Sequence, residues 1–351
     1  MSANKDSSCK KTSIGGQAVL EGIMMRGPEK DSLAVRLADG SIDVEILQTK
    51  APKKKSDMRT WPLIRGVAGM IDSLTVGYKA LMKSAEKTGL DEEEEAEYEK
   101  KRREKAVKKA KKKGLPVPDF DNESEQQKEK EKKRHAFFAA LMSFASVIGV
   151  VFALFLFLWV PIQLFNLTNN YIFKSVDLSP WRAVFEGVIR IIVFLIYLYV
   201  VTLMKDIKRT FQYHGAEHKT IFCYEHGEEL TVENVRKYRR FHPRCGTSFL
   251  VLILVVSILV STIVLTIFPK VNSVTWLWML IKILLIPVIC SLGYELIRFC
   301  GRHDNLFSKI VSAPGLWVQR LTTKEPDDSM IEVAISALKE VIPEDPDADR
   351  L

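Results

Sequence analysis

Four stretches of the chain lose nearly all their polar residues over the length of a bilayer crossing: Ala136–Val160, about Trp181–Met204, about Thr247–Phe268 and about Trp276–Phe299. A hydrocarbon core about 30 Å thick takes about 20 helical residues at roughly 1.5 Å each, so each stretch predicts one transmembrane helix. Pro161 is expected to close the first and Pro269 the third. Trp159, Trp181, Trp276 and Trp278 fall near the ends, where amphipathic rings prefer the headgroup region. Elsewhere the period changes. Ser32–Leu37 and Ser41–Leu47 alternate apolar and polar positions around Asp39-Gly40, which predicts a β-hairpin. The glycine-rich run from Ile14 to Pro28 suits a tight backbone course. Residues 61–85 have a moderately apolar helical period, too polar for a span, and are expected to dock against the membrane helices. In the tail, Pro314-Gly315 predicts a turn. Met330–Val341 predicts an amphipathic helix that packs Ile331, Ala334, Ile335, Leu338 and Val341 against the rest of the protein.

Averages conceal this segregation. The 351 residues are 47% hydrophobic and 27% charged, close to soluble values, yet residues 86–135 are mostly Lys, Glu and Arg while 136–160 carry no charge. A single soluble globule is excluded, and so is a wholly disordered chain. The expected class is a mainly α integral membrane protein: a four-helix transmembrane bundle with a small β-rich N-terminal cytoplasmic unit and cytoplasmic C-terminal helices. Its expected parts are a disordered terminus over 1–13 and a β-rich unit with an amphipathic or interfacial helix over 14–85. A charged linker over 86–135, the membrane domain over 136–300 with its loop 205–246, and a tail over 301–351 follow.

Fifty-one Lys and Arg against 43 Asp and Glu leave a net charge of +8. The basic residues flank apolar spans, so anionic lipid headgroups, not nucleic acid, are the expected partner. They cluster before the first span, in 205–246 and in the tail, which places both termini and that loop in the cytoplasm of a multi-pass cell-membrane protein. The polar first thirteen residues carry no signal-peptide apolar run. Five scattered cysteines make no disulfide framework. Glu186, Arg190, Lys282, Glu295 and Arg298 place charge inside spans, where it must face the bundle interior or snorkel to an interface. Glu186 and Arg190, four apart, are expected to pair along one helix.

Chemistry concentrates in one loop. Four of the six histidines, His214, His218, His226 and His242, fall between the second and third spans. In Tyr213-His-Gly-Ala-Glu-His-Lys219, a helix continuing from the second span would set His214 and His218 on one face. Glu217 would lie beside them, in the pattern H-x-x-E-H of inverted zinc proteases. Phe241-His-Pro-Arg-Cys-Gly-Thr247 adds His242 and Cys245 at metal-knuckle spacing. His214, His218, His242 and Cys245 form a borderline-soft set suited to zinc or another divalent transition metal. Four protein ligands would make a closed structural site. Three would leave a position for chemistry, with Glu217 as general base. Cys223 and His226 rank lower as alternates. Glu21 and Arg26 are the N-terminal groups expected near the site, as catalytic groups or as a structural ion pair.

Gly15-Gly-Gln-Ala-Val-Leu-Glu-Gly-Ile-Met-Met-Arg-Gly27, Tyr213–Lys219, His242-Pro-Arg-Cys-Gly-Thr-Ser248 and the tail pieces Ala313–Trp317 and Leu321–Pro326 together resemble the bacterial YqhQ family. The resemblance covers nearly the whole chain outside 1–12 and 86–135. It implies a multispanning bacterial inner-membrane protein of the predicted metal-dependent kind, with His214, His218, His242 and Cys245 as ligands and Glu217 beside them. It brings no substrate. The functional expectation is a membrane-embedded metal-dependent enzyme, a hydrolase acting at the cytoplasmic face on a lipid-linked or membrane-anchored substrate, with homo-oligomers allowed. A non-enzymatic scaffold or assembly factor with a structural zinc site comes second, and a small transporter third.

Overall fold

The computed structural model describes residues 10–50, 58, 61–89, 144, 147–172 and 178–350. The charged linker lies outside these residues, apart from its first four positions, and so do the start of the first expected span and most of the polar N-terminus. Residues 1–88 and 161–351 form one compact unit and 89–160 a second.

The N-terminal segment is a four-stranded antiparallel meander: β1 (Gly15–Val19), β2 (Gly22–Arg26), β3 (Lys30–Arg36) and β4 (Ile42–Thr49). The expected β3–β4 hairpin forms at Asp39-Gly40, with Gly40 at φ 86°. The glycine-rich run folds as a second hairpin, β1–β2, with Val19 opposite Gly22. Strand periodicity does not announce it, because Gly-Gly-Gln and Ile-Met-Met carry neither alternation nor a β-branched run. Its strands are fixed by burial on two sides. Ile23, Met25 and Ala34 face a core shared with α4 (Lys205–Glu225) and α9 (Asp328–Lys339), whereas Val19, Met24, Leu33 and Val35 face Val76 and Ala80 of α1 (Ile64–Lys87).

Helix α1 ties this sheet to the membrane helices. A Cβ on Gly66 would come 2.8 Å from the Cα of Ser291, so only glycine permits the approach. The Ser291 hydroxyl donates to the Leu63 carbonyl, and Arg65 pairs bidentately with Glu295. Residues 61–85 therefore dock as expected.

Four helices are long and apolar enough to cross a membrane: α2 (Val147–Ile172), the helix Ser179–Val201, α6 (Gly246–Ile267) and α7 (Thr275–Arg302). The second has its α-helical part, α3, at Arg182–Val201. Pro161 does not close the first. A π-helical turn at Phe155–Trp159 widens the backbone just ahead of it, and the helix runs on to Ile172. Glu186 is fully buried between α3 and α7, accepting from Arg182 Nε at 2.7 Å, from Trp278 Nε1 at 3.1 Å and from Lys282. Arg190 donates to Ser257 of α6 at 3.0 Å. Lys282 is 5% exposed, so it faces the interior instead of snorkelling.

Two further local expectations fail. The histidine helix does not continue the second span. The helix breaks at Thr202–Met204 and restarts as α4, with Met204 extended at φ −75°, ψ 133°. Pro314-Gly315 is not a turn but lies inside α8 (Leu306–Thr322). A Cβ on Gly315 would stand 2.5 Å from the Ser248 Cβ, so the glycine serves close packing of α8 on α6. The tail helix forms as expected. The Asp327 side chain caps it by accepting from the Met330 amide at 3.0 Å, and Met330, Ile331, Ala334 and Leu338 are buried. Between α4 and α6 lies one short helix, α5 (Val232–Arg236).

Candidate metal centre

Helix α4 is buried almost continuously from Tyr213 to Cys223. Tyr213, Ala216 and Ile221 pack into the core shared with the sheet and α9. On another side the tail crosses it in extended form, with the Lys324 amide donating to the Phe211 carbonyl at 2.8 Å. A Cβ on Gly215 would lie 2.1 Å from the Lys324 carbonyl oxygen. Gly215→Ala is therefore expected to push the tail off α4 and destabilise the protein by roughly 1–3 kcal/mol, read as a lower thermal midpoint in detergent. An unchanged midpoint would mean that the tail yields freely.

This crossing orients the first histidine. His214 donates through Nδ1 to the Thr322 carbonyl at 2.9 Å, and His218 donates through Nδ1 to the Arg240 carbonyl at 2.5 Å. Both Nδ1 atoms are thereby tied to backbone carbonyls and both Nε2 atoms are turned toward the cluster, the arrangement that backbone carbonyls impose on metal-ligating histidines. His214 Nε2 sits 3.1 Å from Cys245 Sγ, while His218 Nε2 is buried without a hydrogen-bond partner among the described residues. The ligand atoms of His214, His218 and Cys245 all lie within 4.8 Å of one another. Cys245 is the N-cap of α6, where its sulfur accepts from the Thr247 amide at 3.4 Å. Burial opposes ionisation of this thiol, but His214 and His218 beside it and a hydrogen bond from His214 outweigh burial and hold it well below the ordinary thiol range. For His214 burial opposes protonation, and the Cys245 charge more than offsets it, so its pKa is raised.

The structure does not bring all four expected ligands together. His242 stands at the edge, its ring 5.6 Å from that of His218. Its Nε2 lies 3.6 Å from Glu225 and 3.3 Å from Arg244, and its backbone exchanges two 2.7 Å hydrogen bonds with the Gln319 side chain. Burial pushes His242 down to about 4 against the pull of Glu225, so it stays neutral and accepts from Arg244.

Glu217 is 4% exposed and is pushed upward by burial, against the pull of the two histidines. It accepts a backbone hydrogen bond from Gly16 of β1, and its Oε2 is buried without a partner among the described residues. A Cβ on Gly16 would stand 3.0 Å from the Glu217 Cδ and 2.7 Å from the Met24 carbonyl. Glu21, at φ 47° in the β1–β2 turn, accepts from Arg209 Nη2 at 2.6 Å and from the Tyr213 hydroxyl at 3.1 Å. Arg26 lies farther along β2, bonded to Ser73 at 2.8 Å, to Asp72, and within 3.6 Å of Asp31. Glu21 thus anchors α4 beside His214, and Arg26 braces the sheet against α1. Cys223 points at the carbonyls of Glu228 and Glu229, and His226 bonds to the Phe222 carbonyl.

Sequence reasoning missed Gly16, Thr322, Arg240 and Gln319, which act through backbone groups or a side-chain amide. Their signal is positional: Gly16 and Thr322 belong to, and Arg240 adjoins, the long motifs that converge here, while Gln319 falls between two of them.

Membrane-length helices joined to a largely buried His/His/Cys cluster define a polytopic membrane protein with a juxtamembrane candidate metal centre. Residues 61–344 match a family described as "Protein of unknown function (DUF1385)". The chain is also 34% identical to "Uncharacterized protein YqhQ" of Bacillus subtilis over 331 residues, covering 93% of this chain and 92% of the relative. The protein belongs to the YqhQ family. No solved structure matches it.

Proposed function

We propose that this protein is a metal-dependent hydrolase working at the cytoplasmic face of the cell membrane, with His214, His218 and Cys245 holding a divalent transition metal, zinc by preference. The observation that carries the reading is a pair of buried atoms, His218 Nε2 and Glu217 Oε2, with no hydrogen-bond partner among the described residues, beside a thiol drawn toward its thiolate. An isolated polar atom costs about 1–3 kcal/mol to bury, so two on neighbouring residues of one helix favour a missing ligand. Two imidazoles and a thiolate suit zinc, and three ligands leave a position for substrate. A metal held there would supply Lewis acidity, polarising a carbonyl or phosphoryl oxygen and acidifying water.

Glu217 does the proton work in this scheme. Its Oε2 accepts the proton of the attacking water and returns it to the leaving group, and its raised pKa suits both transfers. Gly16 and Glu21 fix the position of Glu217 and α4. The site adjoins the start of α6, and the basic residues of 205–246 favour a cytoplasmic placement, so the substrate class is lipid-linked or membrane-anchored. The second reading, a structural zinc site in a scaffold, needs a fourth ligand. His242 is the nearest in sequence, and its Nε2 already accepts from Arg244.

The test is a panel of ester, phosphoester and peptide substrates in micelles, offered to wild type and to Glu217→Gln at equal metal content. Loss of turnover by roughly 10²–10⁴-fold in the variant is expected for a general base. Equal turnover in both, or none in wild type across the panel, would leave the structural reading.

A further inference from the structure

The seam between α6 and α7 contains a groove of about 670 Å³, within the usual range of small-molecule sites. Its walls are Val256, Val260, Leu292 and Leu296, all inside helices of membrane length and composition. At one end stand Arg298 and Arg302, in the last turn or so of α7. We propose that this groove seats an anionic phospholipid, its acyl chain along the apolar walls and its phosphate at Arg298 and Arg302.

Charge complementarity selects the occupant. Glu295 is the acidic residue of the groove, and Arg65 takes it bidentately. Arg298 and Arg302 form no salt bridge among the described residues, and four positions apart on one helical face they repel each other. A phosphate between them relieves that repulsion. The two arginines sit where the apolar stretch of α7 ends, the depth of lipid headgroups, and basic pockets between transmembrane helices are known binders of anionic headgroups. Walls at hydrocarbon depth exclude a soluble nucleotide or acidic peptide. The inference stands apart from the metal reading, since no groove residue belongs to that site.

The experiment is native mass spectrometry of the full chain in detergent, titrated with phosphatidylglycerol, phosphatidylcholine and glycerol 3-phosphate. Wild type is expected to retain phosphatidylglycerol several-fold better than phosphatidylcholine and not to retain glycerol phosphate. R298Q/R302Q should lower phosphatidylglycerol retention by about tenfold and abolish the headgroup preference. L292W, which fills the trough and keeps both arginines, should lower retention of both lipids, so the test survives if the double arginine variant misfolds by circular dichroism. K309Q/R320Q on α8 should change nothing beyond twofold. Undiminished binding in R298Q/R302Q and L292W would overturn the proposal. So would equal loss in K309Q/R320Q, which signals diffuse attraction to the surface, or equal binding of glycerol phosphate, which signals an anion site without an acyl groove.

Discussion

Cys245→Ser is expected to strip the metal from the chain. Wild type, purified without chelators and analysed by plasma mass spectrometry, should carry about one zinc per chain. Cys245→Ser, His214→Ala and His218→Ala should each fall to background. Losing one of three ligands removes a large share of a binding free energy that reaches about 10–16 kcal/mol for structural zinc. His242→Ala separates the readings. Its Nε2 accepts from Arg244 outside the 4.8 Å cluster, so the variant should keep its metal. Loss in His242→Ala to the same extent would mean that the ring turns inward as a fourth ligand and that the site is closed. Glu217→Gln should also stay loaded, because its role is proton transfer. A metal-free wild type would remove the basis of the hydrolase reading, and the buried His218 Nε2 would then need another explanation.

What could be read beforehand divides by the physical origin of each feature. The second, third and fourth spans were legible because twenty apolar residues have one cheap destination, and α9 was legible because its apolar face repeats at helical spacing. The β3–β4 hairpin was legible through Asp39-Gly40. The β1–β2 hairpin was not, since its strands depend on layers contributed by α1, α4 and α9, far away in sequence. Pro161 and Pro314 misled for one shared reason: a local rule about proline gave way to a π-turn in one case and to helix packing against Ser248 in the other.

In the site, His214, His218, Glu217 and Cys245 stood out because side-chain chemistry has a recognisable spacing. Backbone chemistry has none. The carbonyls of Thr322 and Arg240 orient both imidazoles, and the Gly16 amide holds Glu217, yet no residue type encodes a carbonyl. Only the tertiary fold brings them within reach. Gly16 and Gly215 are the partial exception, because close backbone approach forbids a side chain and leaves glycine as its trace.

Glu186→Gln should be among the most damaging single substitutions in the membrane region. Its carboxylate is fully buried and serves Arg182, Lys282 and the Trp278 indole together. Removing that charge leaves two cations side by side on α3 and α7, and breaking a buried pair in this way costs about 3–5 kcal/mol. Lys282→Met should cost less, because Arg182 continues to neutralise Glu186 and the methionine keeps the packing volume. The double variant Glu186→Gln/Lys282→Met should be more stable than Glu186→Gln alone, since it removes one stranded cation. A coupling of about 0.5–3 kcal/mol is expected from thermal midpoints of the four proteins in one detergent. A cluster with these partners behaves as a staple between α3 and α7, and the cycle measures that staple. Additive effects with a mild Glu186→Gln would show that the charges do not need each other. The place of Glu186 would then be better explained by a proton or ion that visits it, which is the transporter reading.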